Sequence, residues 1–177
     1  MDFSNGFYIV SQIFALGGFI FDLVAMQRKK KSMLLNMDTM AAFCALLHYS
    51  FLGAWAGMAS KVVTTARNAL AAWATAKKIK LPKTLPLMFV GIYIILGIFT
   101  FNSVFSIFPI LASSIYSIVI YTGDVKKIRY AGVVTCILWL VYDIYAFTIV
   151  GIVAEIIALI NAAFAIYRFN NKKTRRH

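Results

Sequence analysis

Acidic side chains are scarce in this sequence, six Asp and Glu against eighteen Lys and Arg, for a formal charge of +12. Proline is scarcer still, at three, and the cysteines are Cys44 and Cys136 alone. These shortages remove whole classes of function. Both cysteines fall within apolar stretches and lack ligand-like neighbours, so they supply no zinc site and are expected to pack as small apolar residues. No Ser–His–Asp set, HExxH helix, glycine-rich phosphate loop or metal cluster occurs; an enzyme is not expected, and no cofactor or metal is implied. A retinal protein would need a Lys in its last apolar stretch, and residues 150–167 hold none. Nucleic acid is excluded by the placing of the cations, which lie between apolar runs instead of along one face.

What the chain has in quantity is apolar residue: 62 % of the sequence, with a mean hydropathy of +0.81. The runs are of the ~20 residues that a membrane-crossing helix needs. Seven spans are predicted, at about Phe7–Met26, Met37–Ala56, Gly57–Lys77, Leu85–Phe101, Val104–Tyr121, Tyr130–Ile149 and Val150–Tyr167. The first is followed by Arg28–Lys31 and preceded by Asp2, which is the wrong polarity for a cleaved signal peptide. With seven spans, sixteen of the eighteen cations fall on one side, and the two exceptions, Lys61 and Arg67, lie within span three. The positive-inside rule then places the N-terminus outside and the C-terminus in the cytoplasm. Gly151 is expected near the turn between spans six and seven, Pro109 is expected to kink span five, and the basic tail 169–177 to fray.

The two halves are similar. A shift that sets Tyr49 on Tyr142 also sets Asn68 on Asn161, Ala69 on Ala162 and Ala72 on Ala165. Span four has no counterpart. The fold class is therefore all-α, a polytopic membrane protein of two parallel three-helix repeats, residues 1–83 and 103–168, joined by a linker helix at 84–102.

Lys61, Thr65 and Asn68 share a face of span three, with Arg67 beside it. A charge at mid-membrane costs at least ~2.5–3.5 kcal/mol on insertion scales, so such residues turn inward and mark a site. Candidate partners are Glu155 and Asp143, the acidic residues deepest in their spans. Two readings stay open: an Arg67–Glu155 or Lys61–Glu155 ion pair that only fixes helix register, or a wet cavity holding a solute. Asn68 and Asn161 could hydrogen-bond that solute or merely tie helices together. His48 and Tyr49 on span two match Tyr142 and Asp143 on span six, and His48 could pass protons or simply pack. Ser11, Ala15, Gly18 and Asp22 form a polar or small stripe on span one. Trp139 lies deep enough to line a cavity, whereas Trp55 and Trp73 suit an interfacial belt.

His48-Tyr49-Ser50-Phe51-Leu52-Gly53, the run Ala59–Arg67, and Trp139, Ala146, Gly151-Ile-Val-Ala-Glu155, Asn161 and Arg168-Phe169 resemble the YgjV-like bacterial inner-membrane proteins. That resemblance implies location in the inner membrane and makes His48, Arg67, Gly151, Glu155 and Arg168 pattern positions; Asn161 falls about one position off. The three-one-three plan is also similar to the SWEET and PQ-loop carriers, which set an Asn on the third helix of each half against a central solute. Their proline set and Pro-Gln motif are missing here. The resulting expectation is a small-solute transporter using alternating access, with substrate-binding residues Arg67, Asn68, Asn161, Glu155, His48, Tyr49, Tyr142 and Asp143. Its partners would be the lipid bilayer and a polar or anionic solute, with a second copy of the chain as a further candidate. The alternative is a non-transporting membrane scaffold or sensor.

Overall fold

The computed structural model describes residues 6–122 and 124–174. Over these residues the chain forms seven α-helices and one short 3₁₀ turn, with no strand. The helices are α1 (Gly6–Met26), α2 (Lys31–Leu52), α3 (Trp55–Lys77), α4 (Leu85–Phe99), α5 (Ile107–Thr122), α6 (Val125–Tyr145) and α7 (Ile149–Thr174), with the 3₁₀ turn at Val104–Ser106. By length and composition, four segments can cross a membrane: Gly6–Met26, Val104–Tyr121, Val125–Tyr145 and Ile149–Arg168. The shorter α4 is also apolar. α2 and α3 are long enough, at 22 and 23 residues, but carry polar groups that the bundle buries.

Each polar helix end has a local cause. Gly53 closes α2 in the left-handed region, at φ 71°, and its neighbour Ala54 donates to the Tyr49 carbonyl. Glycine takes that conformation without a Cβ clash, which permits the tight turn into α3. Lys78 ends α3 in the same region, at φ 56°, with Ile79 N–H returning to Ala74 O. A side chain there costs about 1 kcal/mol or more. Lys78→Gly is therefore expected to stabilise the protein by about 1 kcal/mol, read as a raised melting temperature in detergent. Asp124 caps α6, its carboxylate accepting from Lys126 N–H.

Packing follows chain order within each half, α1 on α2 on α3 and α5 on α6 on α7. The series closes through α3–α5 and α7–α1, while α4 lies against α3 and α5. Small buried residues make the approach close: Ser11, Ala15, Gly18 and Ala25 on α1, and Ala56, Gly57, Ser60, Ala71, Ala72 and Ala74 on α3. The outward faces are apolar, with Ile98 71 % and Phe99 82 % exposed on α4 and Val153, Ile160 and Phe164 exposed on α7. In water such a surface would be a liability; in hydrocarbon it is what the solvent requires.

Several expected boundaries move. α2 and α6 begin at Lys31 and Val125, short of the expected Met37 and Tyr130, because their first turns are polar residues at the basic end. α7 continues to Thr174, past the expected Tyr167, so the tail is helical there, and residues 175–177 lie outside the described residues. Pro109 does not kink α5. It falls in the first turn, where its missing N–H leaves no bond unmade. Gly151 lies close to the α6–α7 turn, in the first turn of α7; α6 ends at Tyr145, and the left-handed residue of the turn itself is Phe147, at φ 52°.

Candidate functional site

α3 brings the polar residues to the axis of the bundle. Arg67 is 1 % exposed, and its guanidinium makes four hydrogen bonds to protein. Nε and Nη2 donate to Asn68 Oδ1 at 3.0 and 2.8 Å, while Nη1 donates to the Ser113 carbonyl at 2.9 Å and to Ser117 Oγ at 2.7 Å. Asn68 Nδ2 in turn donates to Asp38 Oδ2 at 2.9 Å. The amide thus relays between cation and carboxylate and fastens α3 to both α5 and α2. Tyr116 packs under the guanidinium, its ring centre 5.3 Å from Cζ.

One turn and a half back along α3, Lys61 sits differently. Its ammonium lies 3.9 Å from the centre of the Trp139 ring, a cation–π contact. Among the described residues, neither Lys61 nor Arg67 forms an ion pair with Glu155, so the register-fixing pairs expected from the sequence are not made. Glu155 lies instead beside Cys136, on the wall of a cavity that Lys61 also lines.

Two cavities adjoin at this lysine. One, of about 80 Å³, is bounded by Asp22, Asp38, Lys61, Arg67, Trp139 and Glu155. The other, of about 50 Å³, is bounded by Asp22, His48, Tyr49, Lys61, Asp143 and Glu155. Asp22, Lys61 and Glu155 belong to both. Four of the chain's six acidic residues therefore line this pair of cavities. Their volumes suit a few waters or a small ion, since a single water needs only ~10–15 Å³ by this measure. Among the described residues no three His, Cys, Asp or Glu side chains converge as metal ligands.

The second cavity is walled by a polar network. His48 Nδ1 contacts the Ser11 carbonyl at 2.9 Å and Nε2 contacts Thr148 Oγ1 at 3.1 Å. A carbonyl only accepts, so Nδ1 carries the proton in the neutral ring and Nε2 receives from the Thr148 hydroxyl. Thr148 Oγ1 also accepts from Gly151 N–H, and Gln12 Oε1 accepts from Val150 N–H. Tyr49 donates to Asp143 Oδ1 at 2.6 Å, and Tyr142 Oη accepts from Gly57 N–H at 3.0 Å. Tyr49, Trp139 and Tyr142 pack as one aromatic group. Two glycines make room for it. A Cβ on Gly57 would meet Tyr142 and Tyr49 ring carbons at 2.9 Å, and one on Gly151 would meet Asp143 Oδ2 and Thr148 Cγ2 at 2.8 Å. Gly57→Ala is expected to destabilise by about 1–3 kcal/mol, because rings locked in that stack cannot yield. A drop in melting temperature larger than that of Gly91→Ala, whose Cβ would meet nothing within 4 Å, checks this.

Of the residues singled out from the sequence, Arg67 and Glu155 line the first cavity and His48, Tyr49, Asp143 and Glu155 the second. Tyr142 backs the aromatic wall. Asn68 and Asn161 do not meet. Asn68 is fully buried between Arg67 and Asp38, whereas Asn161 accepts from Gln27 Nε2 at 2.6 Å and donates toward the Leu23 carbonyl, tying α7 to α1. Lys61, marked from the sequence as an inward charge, lines both cavities, and the acidic residues that sequence reasoning leaves out of the site are Asp22 and Asp38. Their signal is the scarcity of acid: a chain with six carboxylates that puts four within apolar spans has a use for each.

A multi-helix bundle with an apolar exterior and an ionisable interior defines an integral membrane protein. The chain matches the family model of Imp-YgjV, described as a bacterial inner membrane protein, over residues 9–173, and belongs to that family. No curated protein and no solved structure matches it.

Proposed function

We propose that the protein is a carrier of a small monovalent cation, protons included, with its site where the two cavities join. The observation that carries this reading is the charge of the lining: Asp22, Asp38, Asp143 and Glu155 against Lys61 and Arg67. Excess negative charge in a low-dielectric interior is unstable alone and is relieved by a bound cation or by protons. The anionic solute expected from Arg67 gives way to a cation because the guanidinium already makes four hydrogen bonds, to Asn68, Ser113 and Ser117. Lys61, seated on Trp139 among the carboxylates, is a tethered cation that a mobile one would displace.

Alternating access fits a plan of two like-oriented triplets, α1–α3 and α5–α7, about an axis along the membrane normal, with α4 as linker. Supporting it, each triplet packs in the same neighbour order, the junctions α3–α5 and α7–α1 correspond, and α4 packs against both α3 and α5 as a helix between them would. The basic loops favour an N-terminus outside and a cytoplasmic C-terminus, which reporter fusions at each helix connection would check.

Cys136, on the first cavity, provides the test. In a Cys44→Ala background it is expected to react with a cationic methanethiosulfonate faster than with an anionic one, by about tenfold at low salt, as focusing of field by the acidic lining requires. Faster reaction with the anionic reagent would sink the sign of the site. A second reading, a non-transporting scaffold or sensor, is favoured by the closed hydrogen bonding of Arg67; silence of Cys136 toward both reagents, from either side, would select it.

A further inference from the structure

A larger hollow lies away from the axis, at the basic end of the bundle. It is a groove of about 660 Å³ between the start of α2, the end of α3, the loop that follows and the end of α5. Lys31, Lys80 and Lys83 line it beside Ile79, Leu81 and Pro82, and no Asp or Glu is among its described lining residues. Lys80 and Lys83 are exposed, and the Lys31 ammonium uses one donor on the Ile120 carbonyl, at 2.6 Å, of the three it has.

Three cations with no carboxylate in the same lining call for a compact anion with several acceptor oxygens. The apolar half of the lining says what that anion is attached to. α4 starts at the groove, and its exposed Leu87 and Met88 continue the apolar surface away from the lysines. We propose that the groove binds the phosphate headgroup of an anionic phospholipid from the adjoining leaflet, its acyl chains running along α4. This site is separate from the central cavities and does not depend on whether the chain transports.

The experiment is native mass spectrometry of the full chain, released from micelles holding equal phosphatidylglycerol and phosphatidylcholine. The wild type is expected to retain the anionic lipid preferentially. Lys80→Gln/Lys83→Gln should lose that preference by on the order of tenfold. Lys29→Gln/Lys30→Gln removes the same charge from exposed positions outside the groove and should leave it intact. Equal loss in both charge variants would reduce the effect to diffuse attraction and overturn the proposal. So would absence of preference in the wild type, or binding of inorganic phosphate with no lipid preference. Unchanged melting temperatures of the variants show that the fold is not the cause.

Discussion

Arg67→Met is expected to destabilise the bundle by about 3–5 kcal/mol, the range for breaking a buried charged network by removing one member. The substitution strips four donor contacts from α5 and Asn68 and leaves Asp38 facing a cavity without its relay to a cation. The measurement is thermal unfolding of the purified protein in detergent. The origin of the loss is separable from mere packing. If it comes from the stranded carboxylate, the double variant Arg67→Met/Asp38→Asn should recover a substantial share, giving a coupling well above the few tenths of a kcal/mol of independent sites. Additive losses would mean that the Asn68 relay carries no energy. Either result bears on function, since an arginine that holds helices together is a poor candidate for a residue that must release a solute.

The second large effect falls on Glu155 and Asp22, the two carboxylates common to both cavities. In proteoliposomes on a solid support, steps of sodium, potassium, ammonium or pH should evoke a current in the wild type with at least one of them. Glu155→Gln and Asp22→Asn keep shape and remove charge. Each should lower apparent affinity by a factor of roughly ten to a hundred, the 1.5–3 kcal/mol carried by a charged hydrogen-bonding partner. Lys61→Gln should move it the other way, since the tethered competitor is gone. Were all three variants to conduct as the wild type does, the shared carboxylates would not be the site.

Much of this architecture is legible in the sequence, and what is not has physical reasons. Apolar runs separated by Arg28–Lys31, Lys77–Lys83 and Lys126–Arg129 announce the helices, because charge is costly within hydrocarbon and cheap at its edge. The true starts of α2 and α6 are hidden, since a helix can continue into water, where hydropathy no longer marks it. Pro109 misleads because one sequence does not distinguish a first turn from an interior one. Helical spacing puts Lys61 and Arg67 on the inner side of α3, but their partners come from other helices. That Ser113 and Ser117 of α5 receive the guanidinium, and that Asn68 reaches Asp38, depends on which helix lies next to which. The matched depth of Asn68 and Asn161 is a weaker guide than the shortage of acid. A shared offset along the sequence does not fix shared partners, whereas each buried carboxylate carries an energetic cost of its own.

The three prolines have a mechanical consequence. Pro82 lies in a loop, and Pro86 and Pro109 lie in first turns, so none softens a helix midway. The seven cylinders must then tilt as stiff rods, and any opening has to separate neighbouring rods along their length. On one flank α3 and α5 are riveted by a guanidinium and by Ser60–Ser113, with α4 braced across them. On the opposite flank α7 and α1 are stitched by uncharged groups, Gln27 to Asn161 and Gln12 to Val150. Amide hydrogens near the α1–α7 border, which uncharged side chains join, should then exchange before those of α3 and α5.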